Sequence, residues 1–203
     1  MVGRESSYDL IKRLTNLAEQ ELLSHLSVLK DSELLYERGI YPQSTYVFKH
    51  ALTQDVAYES LLLKRRKEIH EEIGVVIEAL YPDRLEEYHE LLSYHYGRSV
   101  NADKAVMYLD LANQKAAKLN AMDEAKAYFD EAMELLDALP ETEENRQRRI
   151  SLLVNQGIVI MLLFKSSEYY KFLTRYEPMA RDLGNPELLG AFYARLGHCE
   201  FSF

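Results

Sequence analysis

Two histidines of this 203-residue chain begin segments that resemble a zinc-binding helix. His70 and His89 are each followed by glutamate, the first half of an H-E-x-x-H pattern that puts two imidazoles and a general base on one helical face. Gly74 and Ser93 stand where the second imidazole is required, and His95 falls on a different face from His89. The sequence therefore predicts no metal site.

The other reactive side chains form no catalytic set. Cys199, the one cysteine, lies in an apolar helical pattern without a basic neighbour, so we interpret it as a buried structural thiol. The 33 acidic residues include no pair whose spacing singles it out for acid–base work, and no Ser-His-Asp or Cys-His set can be assigned. We expect a chain that is not an enzyme, with no catalytic residue and no cofactor of its own.

Two basic clusters are the candidates for binding phosphate or DNA. The first is the run 64–67, and the second comprises Arg146, Arg148 and Arg149. Glutamates follow the first cluster within helical pairing distance, and others stand just before the second. We interpret both clusters as solvated helix faces with local ion pairs, and contact with phosphate or nucleic acid is the alternative.

Composition narrows the class of protein. A formal net charge of -9 disfavours binding to the nucleic-acid backbone, whereas 47% hydrophobic residues predict a folded chain with a real core. The single cysteine excludes a disulfide framework and fits a reducing compartment. The polar start of the chain has no signal-peptide pattern, and no apolar run approaches the ~20 residues of a membrane span. We expect a cytoplasmic protein that does not cross a membrane.

Apolar residues repeat at helical spacing from Glu68 onward. The stripes predict helices over about 69–80, 85–96, 105–119 and 125–139, the second opened by Asp83 and Glu86 at capping-box spacing. After the polar stretch 141–149, a longer helix is predicted to run to about Phe164, and another spans about 166–183. Asn185 and Pro186 are typical of an N-cap and first helical position, and the helix that they open has not ended at Phe203.

Small residues suggest that these helices form a repeat array. One triplet of apolar positions recurs with the same internal spacing, as Ala105, Leu109 and Ala112 and again as Ala125, Phe129 and Ala132. One residue pair also recurs, as Gln156-Gly157 and, forty residues later, as Leu196-Gly197. Small side chains at fixed sites let the two helices of a hairpin approach closely. An ordinary, non-repeating helical bundle is the alternative.

The segment before Glu68 has a different pattern. Leucines over 10–29 predict one or two helices, and β-prone runs at 34–36 and 45–48 flank a turn-prone stretch, which predicts a hairpin. Helical spacing returns over 50–63. Helices, a hairpin and a further helix favour a small winged-helix-like unit.

Two stretches resemble a known family. They are YVFKHALTQDVAYESLL at 46–62, followed by Arg65, Arg66 and His70, and KAVMYLDLANQKAAKLNAMDEAKAYFDEAMELLDALPET at 104–142. The family comprises large bacterial predicted ATPases, often fused to class III adenylate/guanylate cyclase domains, within the signal-transduction ATPases with numerous domains. The resemblance implies a winged-helix end at 1–63 and tetratricopeptide-like repeats at 64–203. It also implies that the phosphate-binding loop and cyclase metal ligands lie upstream, because neither motif occurs in this chain.

The same resemblance singles out His50. In related ATPases a Met-His-Asp motif of the winged-helix unit presents its histidine to the β-phosphate of bound ADP. Residues 48–52 resemble that motif, but Ala51 replaces the aspartate. His50 is therefore a candidate ADP-phosphate sensor in a longer parent protein, and a structural histidine that caps the following helix is the alternative.

These observations predict an all-α, right-handed array of tetratricopeptide-like helices preceded by a winged-helix-like segment with one short β-hairpin. The expected function is a regulatory, protein-interaction segment. It would bind a protein, peptide or effector on the repeat surface, where tyrosines are candidate contacts, and relay binding to ATPase and cyclase domains of the same chain. The alternative is a fragment of a DNA-associated transcriptional regulator that uses the winged-helix unit, although the acidic charge argues against nucleic acid as a partner.

Overall fold

The computed structural model describes residues 5–157, 159, 163 and 166–200. Contacts within the chain divide it into two units, Met1–Ala105 and Val106–Phe203. The family boundary predicted after residue 63 falls within the first unit and stays a prediction. The described chain is mainly helical with one small antiparallel sheet, which confirms the coarse fold class. None of the described helices is both long enough and apolar enough to span a bilayer.

A three-stranded antiparallel sheet organises the start of the first unit. Its strands are β1 (Glu5–Ser7), β2 (Leu35–Arg38) and β3 (Thr45–Phe48), with β3 in the centre. Strands β2 and β3 form the predicted hairpin, in which Leu35 lies opposite Phe48. Strand β1 was not predicted, because three polar residues carry no apolar alternation and pair with β3 through their backbone.

Three helices surround this sheet: α1 (Tyr8–Thr15), α2 (Glu19–Asp31) and α3 (Ala51–Glu59). Ser7 caps α1 by accepting a hydrogen bond from the backbone N–H of Leu10, and Asn16 ends the helix in the left-handed conformation. Side chains from α1, α2 and β3 share one small core, which is Tyr8, Leu22, Leu26 and Tyr46. Helices α1 and α2 are therefore positioned by burying one face each on the sheet, whereas α3 has no buried residue.

The rest of the first unit consists of α4 (Leu63–Leu80), a 3-10 segment (Pro82–Tyr88) and α5 (His89–Gly97). The capping-box prediction at Asp83 was wrong, because the backbone at Arg84 (φ -134°, ψ 25°) interrupts any regular α-helix there. The rings of Tyr81 and Tyr88 stack at 4.3 Å between centroids across this segment. Helix α5 consequently begins later than predicted, at His89.

Five helices follow: α6 (Ala102–Lys118), α7 (Met122–Ala138), α8 (Glu143–Asn155), α9 (Ser166–Asp182) and α10 (Pro186–Glu200). Helix α8 begins inside the predicted polar stretch because the Thr142 hydroxyl accepts the backbone N–H of Asn145. It ends at Asn155, and its predicted continuation to Phe164 falls partly outside the described residues. Helix α10 starts as predicted, since Asn185 Oδ1 accepts the N–H of Leu188 at 3.1 Å.

The second unit has a continuous apolar core. Its most buried large side chains come from α6 to α10: Leu109, Phe129, Leu136, Ile150, Leu152, Leu153, Leu173 and Phe192. The sequence predicted close packing against the two glycines of the recurring pair, Gly157 and Gly197. The prediction is confirmed at Gly157, where an added Cβ would lie 2.7 Å from Cδ of Arg195. It is wrong at Gly197, where an added Cβ would have no neighbour within 4 Å among the described atoms. The two glycines are therefore not equivalent in packing.

Candidate functional site

His50 lies at the N-cap position of α3, in extended backbone and with an exposed side chain. Its position is the one that the structural-cap alternative required, but its imidazole makes no capping hydrogen bond. The backbone of His50 does accept the N–H of Gln54, which is enough to start the helix. A role in sensing ADP stays a prediction.

The first basic cluster is engaged locally, as predicted. Arg65 lies 3.2 Å from Glu68 and 2.9 Å from Glu72, and Lys64 is 3.9 Å from Glu68. Arg66 donates to two backbone carbonyls just before α4 and lies over the ring of Tyr58. These contacts are typical of a solvated helix face.

The second basic cluster was only partly predicted. Arg148 pairs with Glu144, as expected of a solvated face. Arg149 is instead buried, and its guanidinium Nη1 lies 2.6 Å from Oδ1 of Asp137 on α7. The reason is the early start of α8, which places Arg149 on the same face as the core residues Leu152 and Leu153.

A buried pair of histidines was not predicted. His70 on α4 and His95 on α5 are 1% and 0% exposed, and their Nδ1 atoms lie 2.9 Å apart. The hydroxyl of Tyr58 lies 3.0 Å from Nε2 of His70. The available signal was the register of His70 with Ile73 and Ile77, which places it on the buried stripe of α4.

Burial determines the protonation of this pair. It lowers the pKa of His70 to about 4 and that of His95 to about 3, so both imidazoles are neutral near neutral pH. A hydrogen bond between two neutral Nδ1 atoms requires one to carry the proton and the other to accept it, so the two rings are different tautomers. The pair thus forms a structural link between α4 and α5. Because the two Nδ1 atoms are hydrogen-bonded to each other, these two atoms are not free to coordinate a metal ion.

A groove of the second unit lies between α6 and α8. We call it the α6–α8 groove, and its volume is about 560 Å³. The residues that line it follow helical spacing on each helix. They are Val106, Met107, Asp110 and Leu111 on α6, and Glu144, Gln147, Arg148, Ser151 and Leu152 on α8. One face of each helix thus meets the groove. Its lining includes none of the tyrosines that the sequence suggested as contacts, and Tyr108, Tyr169 and Tyr176 are buried.

The groove combines an apolar floor with a carboxylate in its wall. Val106 and Leu152 are each 1% exposed, whereas Met107 is 42% exposed and offers its side chain to a ligand. Burial raises the pKa of the Asp110 carboxyl, although hydrogen bonds from Gln114 and Asn155 partly offset that effect. The Oδ1 atom of Asp110 is buried without a hydrogen-bond partner among the described residues. A donor supplied by a ligand would satisfy it.

A buried chain of amides holds the groove in shape. Gln156, just after α8, donates from Nε2 to Oδ1 of Asn113 on α6 at 2.7 Å. Asn113 in turn donates from Nδ2 to the carbonyl oxygen of Ala125 on α7 at 2.5 Å. Both amide side chains are buried, so these bonds form in a low-dielectric environment where an unmade bond is costly. They fix α6 against both α7 and α8.

Two further observations bear on function. Cys199 is buried and burial raises the pKa of its thiol, which confirms the structural interpretation. Within the described part of the chain, no group of three or more His, Cys, Asp or Glu side chains is placed to hold a metal ion.

No family model, curated protein or solved structure matches this chain.

Proposed function

We propose that this chain is a non-catalytic protein-interaction segment whose α6–α8 groove binds a peptide segment of a partner protein. The observation that carries the proposal is the groove itself, an open channel with an apolar floor between two helices that a buried amide chain holds in place. Helical grooves of this kind bind extended or helical peptides through a few apolar anchors. The exposed side chain of Met107 is suited to that role, since methionine adapts its shape to different apolar partners.

Charge suggests which peptide the groove favours. Arg148 is already paired with Glu144, whereas the Asp110 carboxylate has an unsatisfied oxygen in the wall. A lysine, an arginine or another strong donor in the peptide would bond to Asp110, and flanking apolar residues would cover the floor. The favoured ligand is therefore an apolar peptide that carries one basic residue.

The helical arrangement supports a repeat-type surface in the second unit, and the order of β1, two helices and the β2–β3 hairpin is consistent with a winged-helix-like first unit. We further propose that the segment belongs to a cyclase-linked ATPase of the family that the sequence resembles. In such a parent, peptide binding would be relayed to upstream catalytic domains, and His50 would face the nucleotide. These steps rest on the sequence resemblance.

A peptide selection tests the groove. A phage-displayed library of random twelve-residue peptides is panned on the immobilised 203-residue chain, and selected peptides are measured by titration calorimetry. We expect apolar peptides with one lysine or arginine. Met107→Lys should weaken their binding at least about tenfold, because it puts an unpaired cation at the apolar floor and opposes the basic residue of the peptide.

Val75→Lys is the matched control, since Val75 is a similarly exposed apolar residue on α4 and the charge change is the same. It should leave binding unchanged. Asp110→Asn, which keeps the shape of the side chain, should weaken the basic peptides more than versions with the basic residue replaced by norleucine. If no peptide is selected, or if the Met107 and Val75 variants weaken binding equally, the groove is not the binding surface.

A further inference from the structure

A second cavity of the 106–203 unit lies where the loop between α7 and α8 meets α9. Three arginines from two helices line it together with Asp137, Glu141 and Tyr176; the arginines are Arg146, Arg149 and Arg175. We call this cavity the arginine pocket. Its volume of about 220 Å³ is below the roughly 300 Å³ at which sites for drug-sized ligands begin, so it suits one small chemical group.

Arg149 is the buried centre of the arginine pocket. Its residue is only 8% exposed, and its Nη1 atom donates to Asp137 Oδ1 at 2.6 Å and to the hydroxyl of Tyr176 at 3.2 Å. A guanidinium has five N–H donors in a rigid fork, and both of these bonds use the same nitrogen. The remaining donors of Arg149 are therefore available to a ligand.

The ring of Tyr176 contacts a second guanidinium besides that of Arg149. The Cζ atoms of Arg149 and Arg175 each lie 5.2 Å from the centroid of its ring. Two like charges held on one ring repel each other, and an anion between them would relieve that repulsion. Arg146 adds a third guanidinium, whose Nε is buried with no hydrogen-bond partner in the described part of the chain.

We propose that the arginine pocket binds a phosphate group. Three guanidiniums outnumber the two carboxylates of the lining, and the buried Nε of Arg146 has no partner among the described residues. Phosphate oxygens accept the paired N–H donors of arginine with matching geometry. The apolar side chains of Leu136, Leu139 and Met179 also line the pocket and reduce the competition from water.

Calorimetric titration of the 203-residue chain with inorganic phosphate tests the site. We expect saturable binding of one phosphate, which Arg146→Gln and Arg175→Gln each weaken by about tenfold or more, the effect of losing one charge-assisted hydrogen bond. Each has a neighbour of the same type on the same helix as its control. Arg148→Gln on α8 and Arg181→Gln on α9 remove the same charge outside the pocket and should change the affinity less than about twofold.

Circular dichroism melts of all four variants establish that each is folded before titration. Phenyl phosphate, titrated in parallel, distinguishes the source of the group. If the pocket is a site for free phosphate, inorganic phosphate should bind at least as tightly as phenyl phosphate. If it is a site for the phosphate group of a larger molecule, phenyl phosphate should bind more tightly than inorganic phosphate. The absence of saturable binding to both probes would overturn the proposal, as would equal losses in the pocket and control variants. The arginine pocket and the α6–α8 groove share no lining residue, so one can fail without the other.

Discussion

Burial keeps the imidazoles of His70 and His95 neutral, and this makes the first unit sensitive to acid. An unfolded histidine titrates near a pKa of 6.5, whereas burial lowers the folded values to about 4 and about 3. Below that unfolded pKa, the unfolded chain takes up protons that the folded chain does not, so the free energy of unfolding falls. The groups around the pair are Tyr58, Tyr94 and Arg98, none of which carries a negative charge that would offset the cost of burying an imidazolium.

We predict that the pair makes the first unit less stable by about 4 kcal/mol at about pH 5 than at pH 7, or about 2 kcal/mol for each histidine, measured by urea unfolding at each pH. His95→Gln keeps a polar side chain but removes one titrating group, so this pH-dependent loss should be roughly halved. His25→Gln removes an exposed histidine of the same unit and should keep the full loss. An unchanged acid dependence in the His95 variant would contradict the assignment.

Arg149 shows how a residue can be misinterpreted from its neighbours in sequence. Its cluster looks like a solvated run beside glutamates, and for Arg148 that interpretation is correct. The one-residue step from Arg148 to Arg149 turns the side chain by about 100° around the helix, from the α6–α8 groove to the arginine pocket. The two side chains thus line different cavities.

At the scale of elements, the packing of α4 on α5 depends on the absence of a side chain at Gly74. A Cβ atom there would lie 2.6 Å from Cζ and 2.8 Å from Cε2 of the buried Tyr96 ring. That ring is held at its hydroxyl, which donates to Glu78 and accepts from Lys104. The ring therefore has little room to move away.

We predict that Gly74→Ala lowers the free energy of unfolding by about 1–3 kcal/mol, because overpacking outweighs the helical preference of alanine. Gly190→Ala is the control, since Gly190 lies in α10 and an added Cβ would have no described atom within 4 Å. The control should raise stability by up to about 1 kcal/mol. Thermal and urea unfolding measure both; a stabilised Gly74 variant would show that α4 and α5 are not this close.

At the scale of the whole molecule, the acidic charge argues against the DNA-associated alternative. The net charge of the chain is -9. Helix α2 is the second of the two helices between β1 and the hairpin. Its Lys30 already pairs with Glu37, at 2.6 Å. Binding to the phosphate backbone requires clustered cations that release counterions. Most of the lysines and arginines that the structure describes in the first unit already lie within 4 Å of a carboxylate.

We therefore predict that gel-shift titration of the chain with random duplex DNA at low salt gives no complex tighter than about 10⁻⁶ M, the strong end of non-specific binding. The titration is repeated at rising salt, because electrostatic binding weakens steeply as salt is added. Tight, salt-sensitive binding would instead favour the DNA-associated regulator.

Sequence alone determined most of the helices, the β2–β3 hairpin and the start of α10. These features depend on local rules: apolar periodicity, turn residues and the Asn185 cap act within a few residues of the chain. Strand β1 escaped prediction because its stability comes from pairing with β3, about forty residues away in the sequence.

Only the tertiary structure decided the sites. The partners of the His70–His95 pair and of Arg149 are twelve or more residues distant along the chain, and spacing carries no signal for such contacts. The α6–α8 groove likewise depends on which faces of two helices meet, and that is fixed by the buried bonds of Asn113 and Gln156. Local chemistry thus sets the elements, whereas long-range packing sets what they can bind.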